Sequence, residues 1–282
     1  MYFDVPQRIT GHRGSGANYL VTRAPENTVQ SCLLALSHGA DSVELDTQLS
    51  SDGELVVCHD VRTRDGLRVT EQPYRQLKAH GIGRLADLMA QLPRMNGTRP
   101  VGVTLELKTG YDRDEPELDQ RVIDAVVTRL PTLTSRNPVF LSSFDPAVVG
   151  RYQFLRQHVS GVSPPMGLIS KHPQHRYPTK TFSAAAVIET AQRLGADAVV
   201  LNSGQVGLVP TEGDLLTVMS ADVDRTPRAQ LNAVISAVRA ADLKLNVWCP
   251  RPVDAALLLR AGVDGVCVNW VPETVALSRH RR

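Results

Sequence analysis

The sequence contains no run approaching eighteen apolar residues, which excludes a membrane-spanning helix of ordinary length. The segment Met1-Tyr2-Phe3-Asp4-Val5-Pro6 lacks a charged leader followed by an apolar core, so the expectation is a cytoplasmic protein without stable membrane insertion. Neither sign of charge predominates: 31 Lys and Arg face 29 Asp and Glu, interspersed until the short Arg279-His280-Arg281-Arg282 tail, and the net charge is only +2. No basic face announces nucleic acid. Cysteine is scarce and scattered. Cys32, Cys58, Cys249 and Cys267 form no close-spaced pair, which argues against zinc and against a disulfide framework and leaves buried free thiols as the expectation.

What the chain does have is repetition. Gly39-Ala40-Asp41-Ser42-Val43-Glu44-Leu45-Asp46 resembles Gly195-Ala196-Asp197-Ala198-Val199-Val200-Leu201-Asn202 and Gly262-Val263-Asp264-Gly265-Val266-Cys267-Val268-Asn269. Each follows a helical pattern, opens on a glycine suited to the left-handed position that ends a helix, and runs through a buried strand to Asp or Asn. Further strand candidates are Arg8 to His12, Glu54 to His59, Val101 to Lys108, Pro138 to Ser143, Met166 to Ser170 and Lys244 to Trp248. Helical patterns over Asn27 to Ser37, Leu118 to Leu130, Ala184 to Leu194, Pro227 to Ala240 and Val253 to Leu259 separate most of them. Strands alternating with helices through 282 residues, without a linker, predict a single α/β domain over 1–282, a closed (β/α)8 TIM barrel. Nine strand candidates are one too many for a barrel. Ser50-Ser51-Asp52-Gly53 is too short for a helix and carries a turn signature, so the strands on either side of it depart from the regular βα pattern. Ser163 to Pro178 and Gly204 to Asp222 read as long loops.

Side chains alternate along a strand, so Glu44 and Asp46 project from one face near a strand end, as do Glu106 and Lys108 on theirs. Any one of these carboxylates alone reads as an exposed strand end. Together, inside apolar strands, Glu44, Asp46 and Glu106 would be costly to bury unpaired, and a hard divalent cation such as Mg²⁺ or Ca²⁺ is the usual compensation. His12 and His59 both end apolar strands, and two histidines beside a carboxylate-held cation suit acid–base chemistry on a phosphate. Arg13, before Gly14 in a sharp turn, leaves a guanidinium to grip phosphate with two hydrogen bonds. Lys108 is either a salt-bridge partner of these acids or a phosphate ligand, and Trp248 is either core or an apolar pocket wall. Asn27 or Thr28 caps a helix, while Glu26 and Asn27 lie within reach of a metal shell. His38, His80, His158, His172, His175 and His280 read as structural or surface residues.

Taken in order, Gly11-His12-Arg13-Gly14, Pro25-Glu26-Asn27-Thr28, Gly39-Ala40-Asp41, Glu44-Leu45-Asp46, Asp52-Gly53, Val56-Val57 with His59-Asp60, Leu105-Glu106-Leu107-Lys108 and Ser142-Ser143-Phe144 resemble the glycerophosphodiester phosphodiesterase family. The likeness runs from residue 8 to about 145, and more loosely to Trp248 and the final strand. It implies a barrel related to phosphatidylinositol phospholipase C, with Glu44, Asp46 and Glu106 as ligands of one divalent cation, Mg²⁺ or Ca²⁺. It further implies His12 and His59 as acid and base and Arg13 and Lys108 on the phosphate, with Trp248 kept as a candidate apolar wall for the substrate. The implied partner is a small-molecule glycerophosphodiester. By analogy with the family, a glycerol hydroxyl is expected to attack phosphorus, an alcohol to leave, and water to open a cyclic phosphate to glycerol 3-phosphate. The chain departs from the family between Gly14 and Pro25, where Ser15 to Ala24 is longer than common and carries Tyr19 and Arg23. It departs again at Cys249-Pro250-Arg251-Pro252 and at Asn269, where Asp is common.

Other readings use the same residues differently. A lysophospholipase D, or a cyclising phospholipase D of the spider-toxin type, shares the acid and histidine pattern, but the toxin type expects a secretion signal and a cysteine pair bracing the loop after His59. A silent phosphate binder would not need both histidines and all three carboxylates. An enolase-type barrel would not explain the Asp52-Gly53 turn or the His12-Arg13 pair.

Overall fold

Each apolar strand run is followed by a helix start or a tight turn, and the chain folds accordingly. The structure, a computed structural model, describes residues 2–4, 8–17, 24–92, 101–108, 116–161, 163–170, 183–208 and 228–279. In chain order the strands are β1 (Arg8–Gly11), β2 (Ser42–Leu49), β3 (Leu55–Val57), β4 (Gly83–Arg84), β5 (Gly102–Leu107), β6 (Val139–Ser143), β7 (Met166–Ile169), β8 (Ala198–Asn202), β9 (Lys244–Trp248) and β10 (Gly265–Val268). Eight of them pair in parallel, and β1 bonds both β2 and β10, closing the barrel. Helices α1 (Val29–Ser37), α4 (Pro116–Leu133), α5 (Pro146–His158), α6 (Ala184–Leu194), α7 (Arg228–Ala240), α8 (Pro252–Ala261) and α9 (Val271–Arg279) surround it.

All nine expected strands are present, and the surplus one is β3. It folds back antiparallel on the upper end of β2 through Ser50 to Gly53, where Asp52 accepts from the Ser50 hydroxyl at 2.6 Å and from the Tyr74 N–H at 2.9 Å. That second bond anchors an excursion the sequence reading did not anticipate: α2 (Tyr74–Ala79), β4 and α3 (Leu85–Gln91). Of the two expected long loops, the first contains β7, and the second begins with a helical turn at Ser203–Val206. Residues 171–182 and 209–227 lie outside the described residues. All four thiols are free, but Cys58, which follows β3 and packs against Val56, Val69 and Leu77, and Cys267 on β10 are only half-buried.

Alternation divides the residues between two environments. Val43, Leu45, Val103, Leu105, Leu141, Leu168, Val199, Leu201, Val247 and Val266 face outward and pack under the helices in one core. The inward face is itself split. Phe140, Ile169, Ala198 and Val200 form an apolar wall that ends near Phe144 and Trp248, while Thr10, Ser42, Glu44, Asp46, Thr104 and Glu106 come from β1, β2 and β5. Tyr2 and Phe3 plug the lower mouth: Tyr2 hydrogen-bonds Thr104 at 2.8 Å, and the Arg8 guanidinium lies 4.3 Å from its ring centroid. The polar half therefore sits at the upper, C-terminal face, opposite an apolar wall.

The three glycine repeats share a device. Gly39, Gly195 and Gly262 take φ of 94°, 71° and 93°, as the left-handed helix end requires. Two residues on, an Asp carboxylate accepts a neighbouring strand's backbone N–H: Asp41 from Ile9 at 2.8 Å, Asp197 from Met166 at 2.8 Å, Asp264 from Leu245 at 2.9 Å. Each bond sets the register of a strand against the one beside it. Asp41→Ala leaves the Ile9 N–H buried and unpaired and should cost about 1–3 kcal/mol in urea unfolding, whereas Asp41→Asn, which keeps an acceptor oxygen, should cost less. Equal stability of wild type and Asp41→Ala would contradict this role.

Candidate active site

The turn after β1 builds the first part of the site. Arg13 and Gly14 both take positive φ, 51° and 90°, and a Cβ on Gly11 would stand 2.1 Å from the Gly14 carbonyl oxygen, so glycine is required at 11 and favoured at 14. This turn continues the inward face of β1 to His12 and places the Arg13 N–H on Glu44 Oε2 at 2.8 Å. His12 Nδ1 lies 2.7 Å from Asn269 Oδ1, while Nε2 lies 3.9 Å from Glu44 Oε2. The Asn269 amide is oriented by two further contacts, the Ala17 N–H to its Oδ1 at 3.2 Å and its Nδ2 to Cys249 Sγ at 3.5 Å. An amide oxygen only accepts, so this arrangement assigns the proton to Nδ1 and leaves the Nε2 lone pair facing the carboxylates. Burial, aided by Arg13, pushes the His12 pKa down to about 3, which keeps the ring neutral at pH 7.

Glu44, Asp46 and Glu106 each offer an oxygen within 4.8 Å of the others. They are not compensated equally. Asp46 has Lys108 Nζ at 3.3 Å, Arg13 Nε at 3.4 Å and the Asn27 amide at 2.9 Å. Burial alone would raise its pKa, but Lys108, His59 and Arg13 hold the carboxyl well below its ordinary range. For Glu44 the balance reverses. Burial, then Asp46 and Glu106, push its carboxyl well above the ordinary range, and its buried Oε1 has no hydrogen-bond partner among the described residues. Hard oxygen donors in excess of local cations, one of them orphaned, fit a divalent cation, and these three residues could hold it.

Several expectations resolve here. Lys108 is a salt-bridge partner, 2.8 Å from Glu106. Arg13 was expected to hold its guanidinium ready for phosphate, but its Nη1 bonds both oxygens of half-buried Glu26 at 3.1 Å while its Nε faces buried Asp46, because both carboxylates lie against this turn. Thr28 caps α1, and Asn27 instead grips Asp46 from both sides, its Oδ1 accepting the Asp46 N–H at 3.1 Å. Trp248 is both core and wall: it packs on the interior apolar cluster, meets Phe144 edge-on at 6.1 Å, and spends its N–H on the Ser170 carbonyl at 2.9 Å. His59 follows β3, with Nδ1 2.8 Å from Asp60 Oδ1, and its side chain remains 34% exposed. The hydrogen bond from His59 holds the Asp60 carboxyl below its usual value. His38 ends α1, His80 lies 3.6 Å from Asp65 and His158 stacks on Phe154, whereas His172, His175 and His280, like Tyr19 and Arg23, lie outside the described residues.

Asn27, expected within reach of a metal shell, bonds Asp46 there, and three contributors escaped the sequence reading: the partners Asn269, Asp60 and Gln48. Asn269 closes the third glycine repeat where Asp46 closes the first, and Gln48 is the next residue on the face of Glu44 and Asp46, so repeat and period were available signals.

The fold and site define a (β/α)8 barrel with an acidic cluster able to hold a cation beside a neutral, oriented histidine. The chain belongs to the glycerophosphoryl diester phosphodiesterase family, whose model matches residues 12–272. It is 31% identical over 132 residues to a glycerophosphodiester phosphodiesterase of Caldanaerobacter subterraneus, covering 42% of this chain and 51% of that protein. It is 42% identical over 76 residues to one of Bacillus altitudinis, covering 25% and 29%. The chain thus spans about half of the first of these curated relatives and under a third of the second. Among solved structures, an Oleispira antarctica phosphodiesterase in complex with the product sn-glycerol-3-phosphate superposes with a TM-score of 0.67 at 21% identity, covering 96% of each chain. At that identity the likeness is one of fold.

If the three carboxylates share one cation, Glu44→Gln should raise the thermal stability of the cation-free protein by removing an uncompensated charge, and should weaken Mg²⁺ or Ca²⁺ binding by about tenfold or more in calorimetric titration. An unchanged Kd would remove Glu44 from the cation site.

Proposed function

We propose that the protein hydrolyses glycerophosphodiesters to glycerol 3-phosphate and an alcohol, using one divalent cation, Mg²⁺ or Ca²⁺, held by Glu44, Asp46 and Glu106. The observation that carries this reading is the His12 ring: its tautomer is set by Asn269, and its free Nε2 faces the three-carboxylate cluster at 3.9 Å. Family membership supports the substrate class. Bound there, the cation would lower the pKa of the attacking hydroxyl and neutralise charge on the phosphate oxygens.

His12 Nε2 takes the proton from the glycerol hydroxyl next to the phosphate, and that oxygen attacks phosphorus. The bond from phosphorus to the alcohol oxygen breaks as His59, paired through Nδ1 with Asp60, donates a proton to the leaving oxygen from Nε2. In the second half the roles exchange: His59 takes a proton from water, which opens the cyclic phosphate, and His12 returns its proton to the glycerol oxygen. Arg13 and Lys108 bring positive charge to the phosphate from positions already set by Glu26, Asp46 and Glu106. Trp248, its N–H engaged, offers only its ring face to the non-reacting part of the substrate. Among the described residues no helix is long and apolar enough to cross a membrane. We assign the protein to the cytoplasm as one catalytic barrel over 1–282.

The test is product analysis with glycerophosphocholine, glycerophosphoethanolamine, glycerophosphoinositol and lysophosphatidylcholine, each with Mg²⁺ or Ca²⁺. Glycerol 3-phosphate should form from at least one of the first three, chelation should abolish turnover, and His12→Ala and His59→Ala should each lower kcat about 10²- to 10⁴-fold. Lysophosphatidic acid as the sole product would transfer the assignment to a lysophospholipase D. Full turnover after exhaustive chelation would sink the cation.

A further inference from the structure

His59 is the least supported member of the proposed machinery. Its ring is 34% exposed, so packing does not fix it, and Asp60, its hydrogen-bond partner, is the adjacent residue and moves with it. What ties this segment to the barrel comes from β2. The Cys58 N–H donates to the Asp46 carbonyl at 3.0 Å. Beyond it, the Gln48 side chain, 2% exposed, donates from Nε2 to the Cys58 carbonyl at 2.7 Å and to the Asp60 carbonyl at 2.9 Å. An amide nitrogen carries two hydrogens, and here both go to the peptide oxygens on either side of His59.

The register of β2 gives this clamp its meaning. Glu44, Asp46 and Gln48 share one face, each about 6.6 Å above the last. The lower two belong to the carboxylate cluster and the third grips the segment bearing the second histidine. We infer that Gln48 is a positioning residue, which sets His59 relative to the reacting phosphate from the strand that carries Glu44 and Asp46. This inference rests on the acid–base reading of His59 given above. It assigns Gln48 no contact with substrate or cation. Its contribution is to hold an exposed proton donor in line with the leaving oxygen, where small displacements are costly.

The test is a double-mutant cycle on kcat with glycerophosphodiester substrate and saturating cation. Gln48→Met keeps the length of the side chain and removes both donors. Gln48→Glu keeps its shape and, ionised, can only accept. Each should lower kcat about 10- to 100-fold, with KM and cation Kd changed less than about twofold. In a His59→Ala background, Gln48→Met should cost almost nothing further, because the clamp acts through that ring. Equal losses in both backgrounds, or wild-type kcat in Gln48→Met, would overturn the inference. If His59→Ala loses activity while Gln48→Met does not, only the clamp fails; if His59→Ala itself keeps normal kcat, the acid–base reading fails and the clamp with it. Should Gln48→Met not fold, Gln48→Glu carries the same comparison, and failure of both to fold would mean that Gln48 supports the barrel rather than the histidine.

Discussion

Glu44, Asp46 and Glu106 bring carboxylate oxygens within 4.8 Å of one another in a place that water barely reaches, and the surrounding structure responds to the electrostatic cost. Lys108 and Arg13 sit beside Asp46, and Asn27 bonds it twice, so that carboxylate is stable as an anion. Glu44 receives one backbone N–H and keeps a buried oxygen without a hydrogen-bond partner among the described residues. Replacing all three with apolar residues would remove this cost and with it any place for a hard cation. An unresolved charge excess at the C-terminal end of barrel strands is a functional expense, because barrels keep chemistry at that face and stability at the other.

The contrast between the two ends bears this out. Below, Tyr2, Phe3 and Phe140 pack edge-on or tilted against one another, and Arg8 lies over the Tyr2 ring with Nη1 and Nη2 on backbone carbonyls, so apolar surface and a single cation close that end. Above, β1, β2 and β5 supply charge and β6 to β9 supply an apolar wall ending at Phe144 and Trp248. A ligand with an anionic centre and a less polar arm suits such a divided mouth. His12 stands on the charged side, kept neutral by burial and by Arg13, and its proton is placed by Asn269.

Legibility in the sequence followed the range of the interaction. The strand runs, the glycine helix ends and the Asp52-Gly53 turn are local, and each appears where its residues place it. The carboxylates and the two histidines were legible because polar residues ending apolar strands break a pattern. The excursion through α2, β4 and α3 was not, since its elements are too short to show a period. Nor was the bond from Asn269 to His12, which spans 257 positions and exists only because β10 closes on β1. Arg13 reads as a free cation until the fold brings Glu26 against it.

The central claim is that these three carboxylates hold one cation at the point where His12 meets a phosphodiester. The most direct measurement is anomalous diffraction from crystals grown with Mn²⁺ and glycerol 3-phosphate. One peak is expected about 2.0–2.6 Å from oxygens of Glu44, Asp46 and Glu106, with a phosphate oxygen beside it and His12 Nε2 facing the glycerol. Phosphate bound at this face with no metal peak between the three carboxylates, or with the metal elsewhere on the chain, would contradict the account.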